Sequence, residues 1–469
     1  VPLPLPRPTP RREEAQPVSD TPGPGSREGG LQAPTRHPVA WRTAEFHDMA
    51  ALERELERVF DLCHGCRRCA SLCQAFPTLF DLVDGAPSGE VDTVPKKAYW
   101  QVVDQCYLCD LCYRTKCPYV PPHPWNLDFP HLMLRAKAVR HGLGTTRWRD
   151  RLLSSTDAVG RLAGIPVIAE VVNAVNGSRV GRQLLAAVLD VHPDPPLPRF
   201  EHPSFRVRHA RRTHPALEPV PTDATRGRVA LFATCYCNRH EPGIAEDLVR
   251  VFEHNGIPVT LAPEERCCGM PKLEIGDLEA VAALKAHNIP VLAALVEQGY
   301  DLVAPVPSCV LMYKQELPLL FPEDADVRKV AKRMYDPFEY LWLRHRAGRL
   351  ATDFPVPLGK ISYHVPCHLR VQNIGLKTRD VLALVPGTTL EVTERCSGHD
   401  GTYAVKAESH AHARRIGAAV VARVEAGGAD HHASDCPMAG THIAAGLADH
   451  RSPTHPLTLL RRAYGLPDE

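Results

Sequence analysis

Apolar residues recur along this chain with two different periods. Met49 to Leu62 and Asn126 to Val139 carry the three-and-four spacing of one helix face. From Arg228 onward, short apolar runs of strand length alternate with helical stretches. Val229 to Ala233 is such a run and leads to Cys235. A helix follows, with Ile244, Leu248, Val251 and Phe252 on one face and Asn255-Gly256 as its stop. Ile257 to Leu261 predicts the next strand, a long helical stretch reaches Gln298, and Leu302 to Val306 is a third strand. The order then recurs. Lys360 to His364 opens it, a helix ends near Pro386-Gly387, Thr389 to Val392 is a strand, and a helix runs from about Tyr403 to Glu425. The pattern predicts a repeated open α/β unit with its strand ends on one edge.

Two stretches carry neither pattern cleanly. Residues 1–45 have no period, and ten of the prolines fall in the first 38 positions. A disordered leader is expected there, because too little apolar surface is present to offset ordering entropy. It also lacks the apolar core of a signal peptide. Arg147 to Asp190 mixes apolar runs with regularly placed Arg, Asp and Asn. It reads as an amphipathic helical connector, or as a docking surface for a partner subunit or the membrane interface. Leu162 to Ser178 is its most apolar part, but Pro166 and Glu170 interrupt it, and it is shorter than the roughly 20 residues of a spanning helix. No membrane span is expected.

Charge then removes some functions. Fifty-five Lys and Arg against 54 Asp and Glu leave no basic field for a nucleic-acid backbone, and no DNA-reading motif is present. No Gly-rich dinucleotide fingerprint occurs either, so flavin or NAD chemistry has to come from a separate chain. The 16 cysteines redirect the question. They are too sparse over 469 residues for a disulfide scaffold, and eight crowd into residues 63–117.

That crowd has a strict form. Cys63, Cys66, Cys69 and Cys73 are spaced C-x2-C-x2-C-x3-C, and Cys106, Cys109, Cys112 and Cys117 are spaced C-x2-C-x2-C-x4-C before Pro118. Three thiolates at successive x2 steps wrap one cubane, and the fourth faces the other. The spacing predicts two [4Fe-4S] clusters with crossed ligation: Cys63, Cys66, Cys69 and Cys117 for one, and Cys106, Cys109, Cys112 and Cys73 for the other. Zinc sites of four thiolates use two C-x2-C pairs, and full triplets would leave thiols over. The long interval from Cys73 to Cys106 and the flanking helices favour an all-helical ferredoxin module.

The remaining cysteines sit after strands in both copies of the repeat. Cys235, Cys267, Cys268 and Cys309 belong to the first, with Cys237 as a candidate fifth thiol; Cys367, Cys396 and Cys436 belong to the second. Cys267-Cys268-Gly269 with these partners resembles the cysteine-rich CCG domain of heterodisulfide reductase. The full order is similar to the iron–sulfur subunits of the anaerobic glycerol-3-phosphate dehydrogenase type and of glycolate and lactate oxidases. The resemblance implies a subunit that passes electrons from a flavoprotein dehydrogenase or oxidase toward a quinone or other acceptor. It also implies a cluster held by five thiolates in each repeat, and here the chain departs. Met312 and Ala439 stand where the last Cys is expected, and Ser397 replaces one of the paired cysteines. The first copy is a candidate third redox or metal site. The second offers Cys367, Cys396, His399 and Cys436 as a zinc set, with His364 or His368 as substitutes, or it is vestigial.

The sequence thus predicts a leader (1–45), a helical ferredoxin domain (46–145), a helical connector (146–227), a cysteine-rich domain (228–345), a second, degenerate one (346–450) and a tail (451–469). The alternatives to electron transfer are a thiol/disulfide oxidoreductase acting at Cys267-Cys268 and a redox sensor. Free thiols and clusters require a reducing interior, so the cytoplasm is expected, with peripheral contact to the inner face of the membrane implied by the resemblance.

Overall fold

A computed structural model describes residues 33–468; positions 1–32, most of the expected leader, and 469 lie outside the described residues. Helices make up the part before Val229. Helix Met49–Cys66 starts at Asp48, whose carboxylate accepts the Ala51 N–H, and it buries Leu52, Leu56, Val59 and Phe60. Phe60 meets the Tyr99 ring edge-on at 5.1 Å, and Phe76 packs on Phe129 at 4.7 Å. These rings join helices Ala75–Asp84, Tyr99–Asp104 and Phe129–Gly142 into one core.

Two parallel sheets follow. The first holds β1 (Val229–Leu231), β2 (Val259–Leu261), β3 (Asp301–Val303) and β4 (Met334–Tyr335) in the order β2-β1-β3-β4. The second holds β5 (Lys360–His364), β6 (Thr389–Thr393) and β7 (His431–Ser434) in the order β6-β5-β7. The repeat therefore holds in topology: the first strand of each copy is central, flanked by the second and the third. β1 and β3 are buried throughout, as parallel strands covered on both faces are. β4 is too short to show in the apolar pattern and is additional to the expected strands.

Two expectations change. Residues 33–45 are anchored, not disordered, although most of them are exposed: Trp41 is buried, and its indole N–H donates to the Leu320 carbonyl at 3.0 Å. The expected tail carries helix Pro456–Ala463, which returns to the first repeat and lies on helix Pro242–His254. Leu457, Leu459 and Leu460 are fully buried there, and Arg461 pairs with Asp247 at 2.6 Å. Finally, helix Leu278–Glu297 is long and apolar enough to cross a membrane by length and composition. Its Val281, Ile289, Leu292 and Val296 instead belong to the core beside the first sheet.

A buried ionic cluster joins the N-terminal segment to both neighbours. Arg36 pairs with Asp110 at 2.6 Å, Asp128 at 2.8 Å and Glu316 at 3.4 Å, while His131 lies 3.1 Å from Asp128 and 3.3 Å from Glu316. Burial works against the charged His131 ring, but the Asp128 carboxylate outweighs it and pushes the ring up to about 9. The stabilisation from protonated His131 is therefore complete below the ordinary histidine pKa of about 6.5 and is lost as pH rises through about 9. Denaturant unfolding at pH 6 and pH 9.5 is expected to show the wild type losing roughly 3 kcal/mol more than His131→Gln. Equal losses in the two proteins would remove His131 from the account.

Candidate redox centres

The eight early cysteines form two adjoining groups of four. Cys63 lies among Cys117, Cys69 and Cys66; burial first, and then those sulfurs, push its thiol well up. Cys73 is pushed up by burial and by Cys109 and Cys106, and Cys112 by burial and the same two sulfurs, with Cys69 of the other group next. The fourth cysteine of each motif thus stands with the triplet of the other.

Local structure explains the grouping. Cys63 and Cys66 occupy the last turn of helix Met49–Cys66, which Arg67 ends in a left-handed conformation, φ 50°. The second loop turns through Leu108 (φ 56°) and Asp110 (φ 60°), and Arg36 holds Asp110 from behind. Lys137 is fully enclosed and donates to the Cys106 carbonyl; burial pushes its ammonium down to about 8. All of these thiols are free. Two tetrads of unlinked sulfurs fit the demand of two cubane clusters, one protein sulfur for each iron.

The first repeat builds a second kind of site at the strand ends. Thr234 precedes Cys235 with φ 68°, a strained value for a β-branched residue, and its hydroxyl accepts the Cys237 N–H at 3.1 Å. Cys235 neighbours Cys267, Cys267 neighbours Cys268, and Cys268 neighbours Cys309; these contacts push Cys235 and Cys268 up and hold Cys267 down. Four sulfurs are brought together. Cys237 is buried near Cys309 but outside that row of neighbours. The backbone N–H of Cys267 donates to the Asp157 carboxylate at 2.9 Å, so the connector closes directly onto this site. Gly269 stands at φ 102°, and Met312 Cε lies 3.4 Å from where a Cβ on Gly269 would project. A thioether fills the space beside the motif.

The second repeat differs from its expected form. Cys367, Cys396 and Asp400 offer ligand atoms within 4.8 Å of one another. His399 is not in that group: its ring faces His442 at 6.1 Å, and its buried Nε2 has no partner. His364 is tied to Ser434 and to the Arg395 carbonyl, each at 3.0 Å, and His368 to Ser308 at 2.7 Å. Cys436 also stands outside that group: burial pushes its thiol up to about 11 against the Ala439 and Met438 N–H groups, and it lines the cavity between the repeats. Sequence reasoning missed Asp400. The turn Ser397-Gly398-His399-Asp400 offers two neighbouring ligands, and only its fold selects between them. Gly398 is fixed at φ 81°, because a Cβ there would stand 2.1 Å from the Ala413 carbonyl oxygen.

Cys367 also touches the helical region. Cys109 and Cys396 both neighbour its thiol and push it up, and Cys73 senses the charge of Cys396. A cavity of about 1000 Å³ lies between the two repeats, with Cys235, Cys268 and Cys309 on one wall and Cys367, His368 and Asp400 on the other. The connector closes it with Leu152, Val159, Val172, Leu185 and Leu189. Within it, burial pushes Glu274 up to about 7.

A family model described as a cysteine-rich domain matches this chain twice, at residues 229–314 and 361–444. A subunit of the anaerobic glycerol-3-phosphate dehydrogenase of Escherichia coli (strain K12) is 28% identical over 342 residues, covering 72% of this chain and 83% of that protein. Lactate utilization protein A of an Exiguobacterium species is 30% identical over 186 residues, 38% of this chain and 74% of that protein. A subunit of the fumarate reductase (CoM/CoB) of Methanothermobacter marburgensis is 25% identical over 225 residues, 47% of this chain and 42% of that protein.

Proposed function

The chain belongs to the cysteine-rich (CCG) domain family of iron–sulfur electron-transfer subunits, and on that premise we propose that it links a flavoprotein dehydrogenase or oxidase to a quinone-class acceptor. The observation that carries this reading is the gathering of eight free thiols into two tetrads. Cys63, Cys66, Cys69 and Cys117 would hold one [4Fe-4S] cluster, and Cys73, Cys106, Cys109 and Cys112 the other. Bound there, such clusters exchange single electrons. Cys235, Cys267, Cys268 and Cys309 supply four thiols for a third centre, with Cys237 in reserve behind Cys309. The buried Lys137 beside Cys106 places a positive charge next to the second tetrad, which favours added negative charge there.

Anaerobic purification with iron counting and EPR tests this. About eight irons per chain correspond to two cubanes and about twelve to a third cluster. A count well below eight, with no cubane signal, would sink the reading. Co-purification of a flavin-containing chain is the expected sign of the partner.

The connector supports peripheral contact with a membrane. Eleven of the fourteen exposed large apolar side chains among the described residues lie between Leu143 and Val188, which sets this surface apart from the rest. Trp148, Leu162, Val167 and Val180 stand out to solvent beside exposed Arg147, Arg151, Arg161 and Arg179. Apolar projections among cations suit an anionic bilayer surface. The inner side is pinned to the protein through Arg149 on Glu408 at 2.6 Å. The double variant Trp148→Glu, Val180→Glu is expected to bind anionic vesicles at least about tenfold more weakly in co-sedimentation. Unchanged binding would reject this surface as the contact.

A further inference from the structure

The five-thiolate cluster of the family does not fit the second repeat. Ser397 and Ala439 remove two of its ligands, and Cys436 lines the same cavity but is not gathered with Cys367, Cys396 and Asp400. What remains is a pair. β5 and β6 run in parallel with His364 opposite Thr393. Cys367 and Cys396 each follow those partners by the same short interval, so the sheet register sets the two thiols side by side. Their sulfurs lie within 4.8 Å, within reach of an S–S bond by side-chain rotation.

Two further contacts give this pair a redox setting. Cys367 neighbours Cys109, a member of the second tetrad, which pushes its thiol up. Cys396 Sγ lies 3.7 Å from the Asp400 carboxylate, and it accepts the Gly398 N–H at 3.3 Å. Cys367 and Asp400 both line the cavity between the repeats. The pair therefore stands between a tetrad on one side and a largely apolar chamber on the other.

We propose that Cys367 and Cys396 are a redox-active dithiol/disulfide pair that converts single-electron delivery at Cys109 into two-electron reduction of an acceptor in the cavity. This rests on the reading that Cys73, Cys106, Cys109 and Cys112 hold a one-electron iron–sulfur centre fed by the partner flavoprotein. Reduction breaks the Cys367–Cys396 bond and takes up two electrons, arriving singly, and two protons, leaving two thiols. Reoxidation forms the S–S bond again. The two electrons and two protons pass to a quinone-class acceptor, which leaves as the hydroquinone. Asp400 is the group placed to exchange the proton of Cys396, and the apolar chamber suits a lipophilic ring. The pair solves a counting problem, since single-electron carriers alone would leave a half-reduced acceptor in the cavity.

Differential alkylation of the full chain, purified anaerobically, tests the pair directly. In protein oxidised with a water-soluble quinone, peptide mass spectrometry is expected to find Cys367 and Cys396 joined. After reduction by dithionite and quenching in acid, both are expected to carry alkyl groups. Cys396→Ser and Cys396→Ala are expected to keep both cubane EPR signals while quinone reduction falls at least about tenfold. Absence of the Cys367–Cys396 link in oxidised protein, or undiminished quinone reduction in both variants, overturns the proposal. So does one zinc per chain in the wild type that is lost in Cys396→Ser, because a metal would then occupy the pair. Failure of the underlying reading looks different: the cubane signals would be missing from the wild type itself.

Discussion

Cys109→Ser is expected to erase one of two [4Fe-4S] EPR signals and to cut electron flow to a quinone acceptor by at least about 100-fold, the upper end of what losing even an outer partner of a metal site costs. Serine keeps the size of the side chain but replaces a soft sulfur with a hydroxyl that stays protonated near neutral pH and binds iron poorly. Cys109 has no substitute. Cys106 and Cys112 are already members of the same tetrad, and Cys73 reaches it from the other motif. Cys367 also neighbours Cys109, but it belongs to the pair at the cavity. Iron content is expected to fall by about half, since each cubane carries four irons. Survival of both signals with full activity would show that Cys109 is not a ligand.

Arg36→Met is expected to cost about 3–5 kcal/mol of stability, because removing one partner leaves buried charges without compensation. The guanidinium makes two bonds to Asp110, at 2.6 and 2.9 Å, and two to Asp128, at 2.8 and 3.0 Å. Those carboxylates hold Arg36 protonated well beyond its ordinary range, although burial acts the other way. Methionine fills the volume and carries no charge. Denaturant unfolding with intact clusters measures the loss. The defect should also reach the second tetrad, because Asp110 sits between Cys109 and Cys112. Faster bleaching of the iron–sulfur absorbance in air is the accompanying sign. A change below about 1 kcal/mol would mean that the carboxylates find other partners.

How much of this was legible beforehand depended on whether the signal was local. The x2 spacings in CHGCRRC and CYLCDLC are local, and the tetrads they predict come together. The strand runs before Cys235 and Cys367 are local too, and Lys360 to His364 matches β5 residue for residue. The relation of Cys367 to Cys109 is not local. It depends on how the helical region docks on the second repeat, which no period records. Arg36 lies in a proline-rich stretch and Leu457 in a short apparent tail, and both are ordered by partners remote in sequence, Arg36 by Asp110, Asp128 and Glu316 and Leu457 by the helix Pro242–His254. Asp400 failed for a different reason. His399 is the better zinc ligand by type, but the chain turns at Gly398 so that the carboxylate, not the imidazole, meets Cys396.

The last helix has a mechanical consequence. Leaving the second repeat, Pro456–Ala463 lies across the first and is fastened there by Leu457, Leu460 and the Arg461–Asp247 pair. The two repeats are thus strapped together at the end of the chain, and the chamber between them behaves as a slot of set width, not a jaw. Leu152, Val159 and Val172 line this chamber from the same region whose outer side carries Trp148 and Val180. On the proposed function, contact with a bilayer would therefore act on the helices that wall the chamber.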